Sequence, residues 1–168
     1  MIFLSTWILC SAAASFSSPV DAKCTPGLIP KPGSLKGYSA VVVVTSHDKL
    51  GNSNCTDCKP TGVFGEEMTA PYYLFRDAGM DTQIVTIKGG DAPIDPTYNT
   101  TLFITSWDKR FFADPKAYAD SHNTQSVEEV DFSKFDIIYM AGGWGAAWDL
   151  GTSDALAAAI SKAYASGK

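Results

Sequence analysis

The sequence predicts one α/β domain built on a doubly wound parallel sheet, and three observations carry that expectation. Strand-like and helix-like runs alternate along the chain. The first run, Ala40-Val41-Val42-Val43-Val44-Thr45, is continuous rather than alternating, as suits a central parallel strand buried on both faces. The runs end in polar or glycine-rich loops at Ser46-His47-Asp48, Lys88-Gly89-Gly90 and Gly142-Gly143-Trp144-Gly145, and open parallel sheets bind ligands beyond the carboxyl ends of their strands.

The elements follow in order. After a Pro/Gly-rich lead over residues 23–37 and the valine strand, Glu66 to Gly79 reads as a helix: acids occupy its first turn, Met68, Tyr72 and Phe75 recur at helical spacing, and Gly79 ends it. Thr82 to Ile87 is a second strand, closed by Lys88-Gly89-Gly90. Residues 91–130, broken by Pro93, Pro96 and Pro115, form a long excursion with one or two short helices. Phe135 to Ala141 is a third strand running into the Gly142–Gly145 turn, and Asp154 to Ala165 is an alanine-rich helix with Gly167 behind it. The domain spans residues 38–168.

Composition bounds the function. A chain of 168 residues, 45% hydrophobic and 12% aromatic, can bury a core of ordinary size. Eighteen acidic against thirteen basic residues give a net charge of −5. The longest basic cluster is the pair Lys109-Arg110, so nucleic acid is not an expected partner. The Gly-Gly-Trp-Gly run lacks the G-x-G-x-x-G spacing of a nucleotide loop.

Residues 1–22 read as a signal peptide. An uncharged apolar run from Ile2 through Ala14 leads to Val20-Asp21-Ala22, which suits cleavage before Lys23. It is too short for a membrane span, which needs about 20 apolar residues; a buried amino-terminal element is the alternative. Secretion is the expected localisation, with two glycosylation sequons at Asn54 and Asn99. Cleavage leaves Cys24, Cys55 and Cys58, and a disulfide involving Cys24 is favoured over a Cys55–Cys58 redox pair. No metal site is expected, because His47 and His122 are too sparse to complete one around the cysteines.

The order Thr45-Ser46-His47, Thr61-Gly62-Val63-Phe64-Gly65-Glu66-Glu67 with Pro71, Phe75-Arg76-Asp77-Ala78-Gly79, Lys88-Gly89-Gly90, Asp95-Pro96 and Ala141-Gly142-Gly143-Trp144-Gly145 resembles the ThiJ/PfpI superfamily, most closely its glyoxalase III-like, stress-chaperone branch. The resemblance runs from Tyr38 to Lys168. It implies a flavodoxin-like fold and, in this branch, a site of a cysteine on a strand-to-helix elbow, a histidine after it and a glutamate beside it. The glutamate maps to Glu67; Glu66 beside it is expected to cap the helix or face solvent. Gly142 and Gly143 map to the glycine pair whose second member suits an oxyanion hole, His47 lines the pocket, and Trp144 stands where many relatives carry histidine. A carboxyl beside a thiolate holds its proton more readily and can donate or shuttle it.

By the same resemblance the nucleophile falls about half a dozen residues beyond Lys168, so this chain alone is expected to be inactive and the sheet incomplete at the carboxyl end. The apolar faces of Val41–Val44 and of the alanine-rich helix are then expected to lie exposed. For the complete protein the resemblance implies a cofactor-independent, glutathione-independent conversion of a 2-oxoaldehyde such as methylglyoxal into a 2-hydroxy acid. The partner is the small aldehyde, and a homodimer stays open. The alternatives are a noncatalytic secreted holdase or binding protein, an amidotransferase- or protease-like relative, and a cytoplasmic location, as for most relatives.

Overall fold

The computed structural model describes residues 30–52, 54–99 and 104–167. Five strands form one sheet: β1 (Ser39–Val44), β2 (Asp81–Thr86), β3 (Lys88–Gly90), β4 (Thr124–Ser126) and β5 (Ile137–Met140), in the order β3-β4-β2-β1-β5. All neighbours are parallel except the β3–β4 edge pair. The helices are α1 (Gly65–Asp77), α2 (Ser106–Ala113), α3 (Pro115–His122), α4 (Ala146–Asp149) and α5 (Asp154–Ala165). Among the described residues no helix is long and apolar enough to cross a membrane. The signal-peptide segment and Cys24 lie outside the described residues.

The valine run explains the layering. Successive side chains of a strand face opposite sides. Ala40, Val42 and Val44 therefore join Met68, Tyr72 and Phe75 of α1 and Phe111 of α2 in one core. Val41 and Val43 join Val85, Phe132, Leu156 and Ala163 in the other, under α5. Val41–Val44 are fully buried, which corrects the expectation of an exposed valine face. The cover comes from α5 and from the 3-10 turn Phe132–Lys134, which pack on each other and place Phe132 and Leu156 over the strand. Exposure is instead found on β5, where Met140 is 51% accessible.

Three short elements depart from the sequence reading. Lys88–Gly90 is a separate antiparallel edge strand rather than the end of β2, and its partner β4 lies inside the excursion. Strands of three residues, here Lys-Gly-Gly and Thr-Gln-Ser, carry no alternating apolar signal. The four-residue α4 falls between the Gly142–Gly145 turn and the alanine-rich helix, where the sequence predicts no element. The helix expected over Glu66 to Gly79 runs from Gly65 to Asp77, with Gly79 just beyond it at φ +95°. A Cβ at Gly79 would come within 3.0 Å of the Gly33 backbone, where the lead segment hydrogen-bonds the end of α1 through Gly33 N–H to Asp77 O and Leu35 N–H to Ala78 O.

Candidate active site

The loop before α1 and the turn after β5 are fastened together. Phe64 N–H donates to Gly142 O at 3.2 Å, and Gly145 N–H donates to Gly62 O at 3.0 Å. From this base Glu67, in the first turn of α1, points across the gap, and its Oε2 accepts from Gly142 N–H at 2.7 Å. A side chain on Gly142 would run into the Glu67 carboxylate, so only glycine lets the two approach this closely. Gly143 follows at φ +117°, packed against the backbone of Gly62, Val63 and Phe64. Among the described residues its N–H donates to no group. Pro71 has no N–H to give, so the Glu67 carbonyl lacks its helical donor four residues on.

The surroundings of Glu67 are partly polar. Tyr139 on β5 has its phenol pushed up by burial, with the Glu67 carboxylate adding to the effect, and so stays a protonated donor. Glu66 is half-buried rather than solvent-facing. Burial, then the charges of Asp108 and Glu67, raise its carboxyl above the usual value. Asp108 is itself fully buried and accepts from Thr69 Oγ1 at 2.6 Å and from Thr105 N–H and Oγ1.

His47 sits on the other flank of the turn. Its Nε2 donates to Gly51 O at 2.8 Å, and its ring stacks on Trp148 of α4 with centroids 4.9 Å apart and planes 7° from parallel. Asp149, the next residue, accepts from Thr45 Oγ1 and from Ser46 N–H, each at 2.7 Å, tying the end of β1 to α4. Sequence reasoning missed Trp148 and Asp149 because α4 is too short to show a period; a Trp-Asp pair behind a glycine turn was the available signal. Trp144, expected as a pocket wall, is 68% exposed. A cleft of about 480 Å³ also opens near the β1 end, walled by Phe112, Tyr118 and His122 and edged by Ser46, Asp48 and Asp91.

The structure pairs Cys55 with Cys58, where the sequence favoured a bridge through Cys24. The loop explains it: Leu50 N–H to Lys59 O and Thr61 N–H to Asp48 O close its two arms into a narrow hairpin that brings the two cysteines together at the tip. Asn54 is exposed on the same tip, and Asn99 ends the 3-10 turn Pro96–Asn99, with the rest of its sequon outside the described residues. Among the described residues no group of three or more His, Cys, Asp or Glu could hold a metal ion.

A parallel-dominated sheet with helices on both faces, and a carboxylate set against a glycine turn beyond its carboxyl ends, define an open α/β domain of the flavodoxin-like class. No protein-family model matches the chain. It is 24% identical over 134 residues to the glutathione-independent glyoxalase hsp3102 of Schizosaccharomyces pombe, covering 79% of this chain and 54% of that protein. Among solved structures it resembles the Rapid Encystment Protein 24 KDa of Francisella tularensis at 33% identity and TM-score 0.67, over 76% of this chain and 54% of that one. Glyoxalase III of Candida albicans aligns at 23% identity and TM-score 0.65, over 77% and 54%. These likenesses agree with the resemblance to the glyoxalase III-like branch of the ThiJ/PfpI superfamily. The chain spans about half the length of these relatives.

Proposed function

We propose that this fold serves a glutathione-independent, glyoxalase III-like reaction that converts a 2-oxoaldehyde such as methylglyoxal, with one water, into a 2-hydroxy acid such as lactate. The observation that carries this reading is the Glu67 carboxylate held by Gly142 N–H beside the Gly143 turn. The names of the fission-yeast and Candida relatives support it. Cys55 and Cys58 are joined, so the reaction needs a thiol from outside the described residues. In the proposed sequence the thiolate adds to the aldehyde carbon as a hemithioacetal. Glu67 takes the proton from that carbon and returns it to the neighbouring one, and water then releases the acid from the thioester. The Gly143 N–H, which donates to no group among the described residues, supports a role in holding the developing oxyanion.

The test is Glu67→Gln in protein expressed from its full transcript, with methylglyoxal consumption as the readout. Loss of at least about 10²-fold in kcat/KM is expected; turnover retained at the parent level sinks the role. Export is proposed alongside, supported by the disulfide and the exposed Asn54 on one loop. A mature terminus at Lys23 and a mass loss on glycosidase treatment are the expected results.

A further inference from the structure

The Cys55–Cys58 bridge stands in a chain of contacts that reaches the site. Gly51 lies against both cysteines: a Cβ there would run into Cys58 Sγ and come within 3.1 Å of Cys55 Cβ and 3.3 Å of Cys55 Sγ. The carbonyl of that same Gly51 holds His47 Nε2 at 2.8 Å. His47 in turn lies flat on Trp148, and its own carbonyl packs against Gly145 in the turn beside Gly142 and Gly143. Below Gly51 the hairpin arms are closed by backbone hydrogen bonds between Leu50 and Lys59 and between Thr61 and Asp48. Between Gly51 and the tip the backbone bond found among the described residues is local, Cys55 N–H to Asn52 O. The bridge is thus the covalent tie that fixes the half of the loop against which Gly51 rests. Both cysteines are only half-buried, between exposed Asn54, Thr56, Asp57 and Lys59, so a reductant can reach them.

We propose that Cys55–Cys58 is a thiol–disulfide modification site that sets the placement of His47. Oxidised, the bridge holds Gly51 and keeps the His47 ring on Trp148; reduced, the tip and Gly51 are released and the ring leaves the stack. The reductant is a dithiol: one of its thiolates attacks a bridge sulfur to form a mixed disulfide, and its second thiol closes the ring and leaves as the cyclic disulfide. The Cys55–Cys58 bond takes up two electrons and two protons and becomes two thiols. The inference stands on this geometry and does not depend on the reaction proposed above.

The experiment is NMR of the full chain with and without dithiothreitol. The chain has two histidines, so a His122→Asn variant assigns the His47 ring signals. In the oxidised protein these signals are expected upfield, under the Trp148 ring. Reduction should return them to solvent-exposed positions, and reoxidation should restore them, while the methyl signals of Val41–Val44 stay in place. A Cys55→Ser/Cys58→Ser double variant should show the reduced pattern without reductant. Alkylation and mass spectrometry confirm thiols at both positions. The proposal is overturned if both thiols are alkylated and the His47 signals do not move, if peptide mapping joins either cysteine to a different one, or if the valine methyl signals collapse on reduction, which makes the bridge a support of the whole fold. The reversible wild-type measurement decides the matter even where the double variant fails to fold.

Discussion

Two adjacent glycines make separable demands, and replacing each by alanine tells them apart. Gly143 sits at φ +117°, and a methyl group there would press on backbone atoms of Gly62, Val63 and Phe64, which have no side-chain freedom with which to yield. A non-glycine residue in such a conformation costs about 1–3 kcal/mol before any clash is counted. Gly143→Ala is therefore expected to lose about 3 kcal/mol or more in all, and at ~2–4 °C per kcal/mol for a chain of this size the melting temperature falls by roughly 6–12 °C. At Gly142 the obstacle is the end of the Glu67 side chain, which can swing away. What is lost is the bond from Gly142 N–H to a half-buried carboxylate that water can reach, and Gly142→Ala should cost about 1–2 kcal/mol. Under the proposed reaction, activity in protein expressed from its full transcript should respond in a different order: Gly142→Ala displaces Glu67 and should lower kcat/KM at least tenfold in protein that is still folded. Urea denaturation followed by circular dichroism measures the stability of both variants. Equal stabilities, or a Gly142 variant less stable than the Gly143 variant, would refute the reasoning.

Three further outcomes follow from the packing and the charges. Leu156→Ala empties a fully buried position of α5 over Val41 and Val43 and should cost about 2–4 kcal/mol by urea denaturation; a loss below about 1 kcal/mol would mean that α5 is loosely docked. Asp77 is held below the ordinary aspartate value of 3.8 by Arg110, and Asp95 is held below it because hydrogen bonds from Thr97 and Thr61 outweigh the upward push of burial. A depressed carboxyl favours the fold above its unfolded value, so the urea midpoint should drop as pH falls below about 4, less so in Asp95→Asn. Glu66, raised by burial, works the other way and costs stability as pH rises through the acid range. Finally, exposed Met140, Trp144 and Trp148 give the holdase alternative a surface: suppression of client aggregation in light scattering that persists in Glu67→Gln would support it, and no suppression would remove it.

What could be read in advance divides by element length and by the range of the contact. Four consecutive valines, the Met68–Tyr72–Phe75 stripe and the alanine-rich run at Asp154 each repeat a signal often enough to fix the type of element. Glu67 and the glycine pair were grouped through the family pattern, and the fold brings the carboxylate onto Gly142 N–H. Thr-Gln-Ser of β4 and the single turn of α4 carry no repeat, so the edge pair and the residues on α4 were hidden. The Cys55–Cys58 pairing depends on hairpin closure through Leu50–Lys59 and Asp48–Thr61, which spacing alone does not state. Covering of the valine face depends on Phe132, a residue whose turn has no periodic signature.

The Asp149 clamp on Thr45 and Ser46 links positions 104 and 103 residues apart. At ~5–20 residues added per second, the carboxylate arrives on the ribosome roughly 5–20 seconds after the strand end it secures. For that interval His47 has neither its ring platform on Trp148 nor a fixed strand end beneath it. The Glu67–Gly142 end of the domain thus becomes native late in synthesis, and a nascent chain released before Gly142 would carry Glu67 facing a turn that does not yet exist.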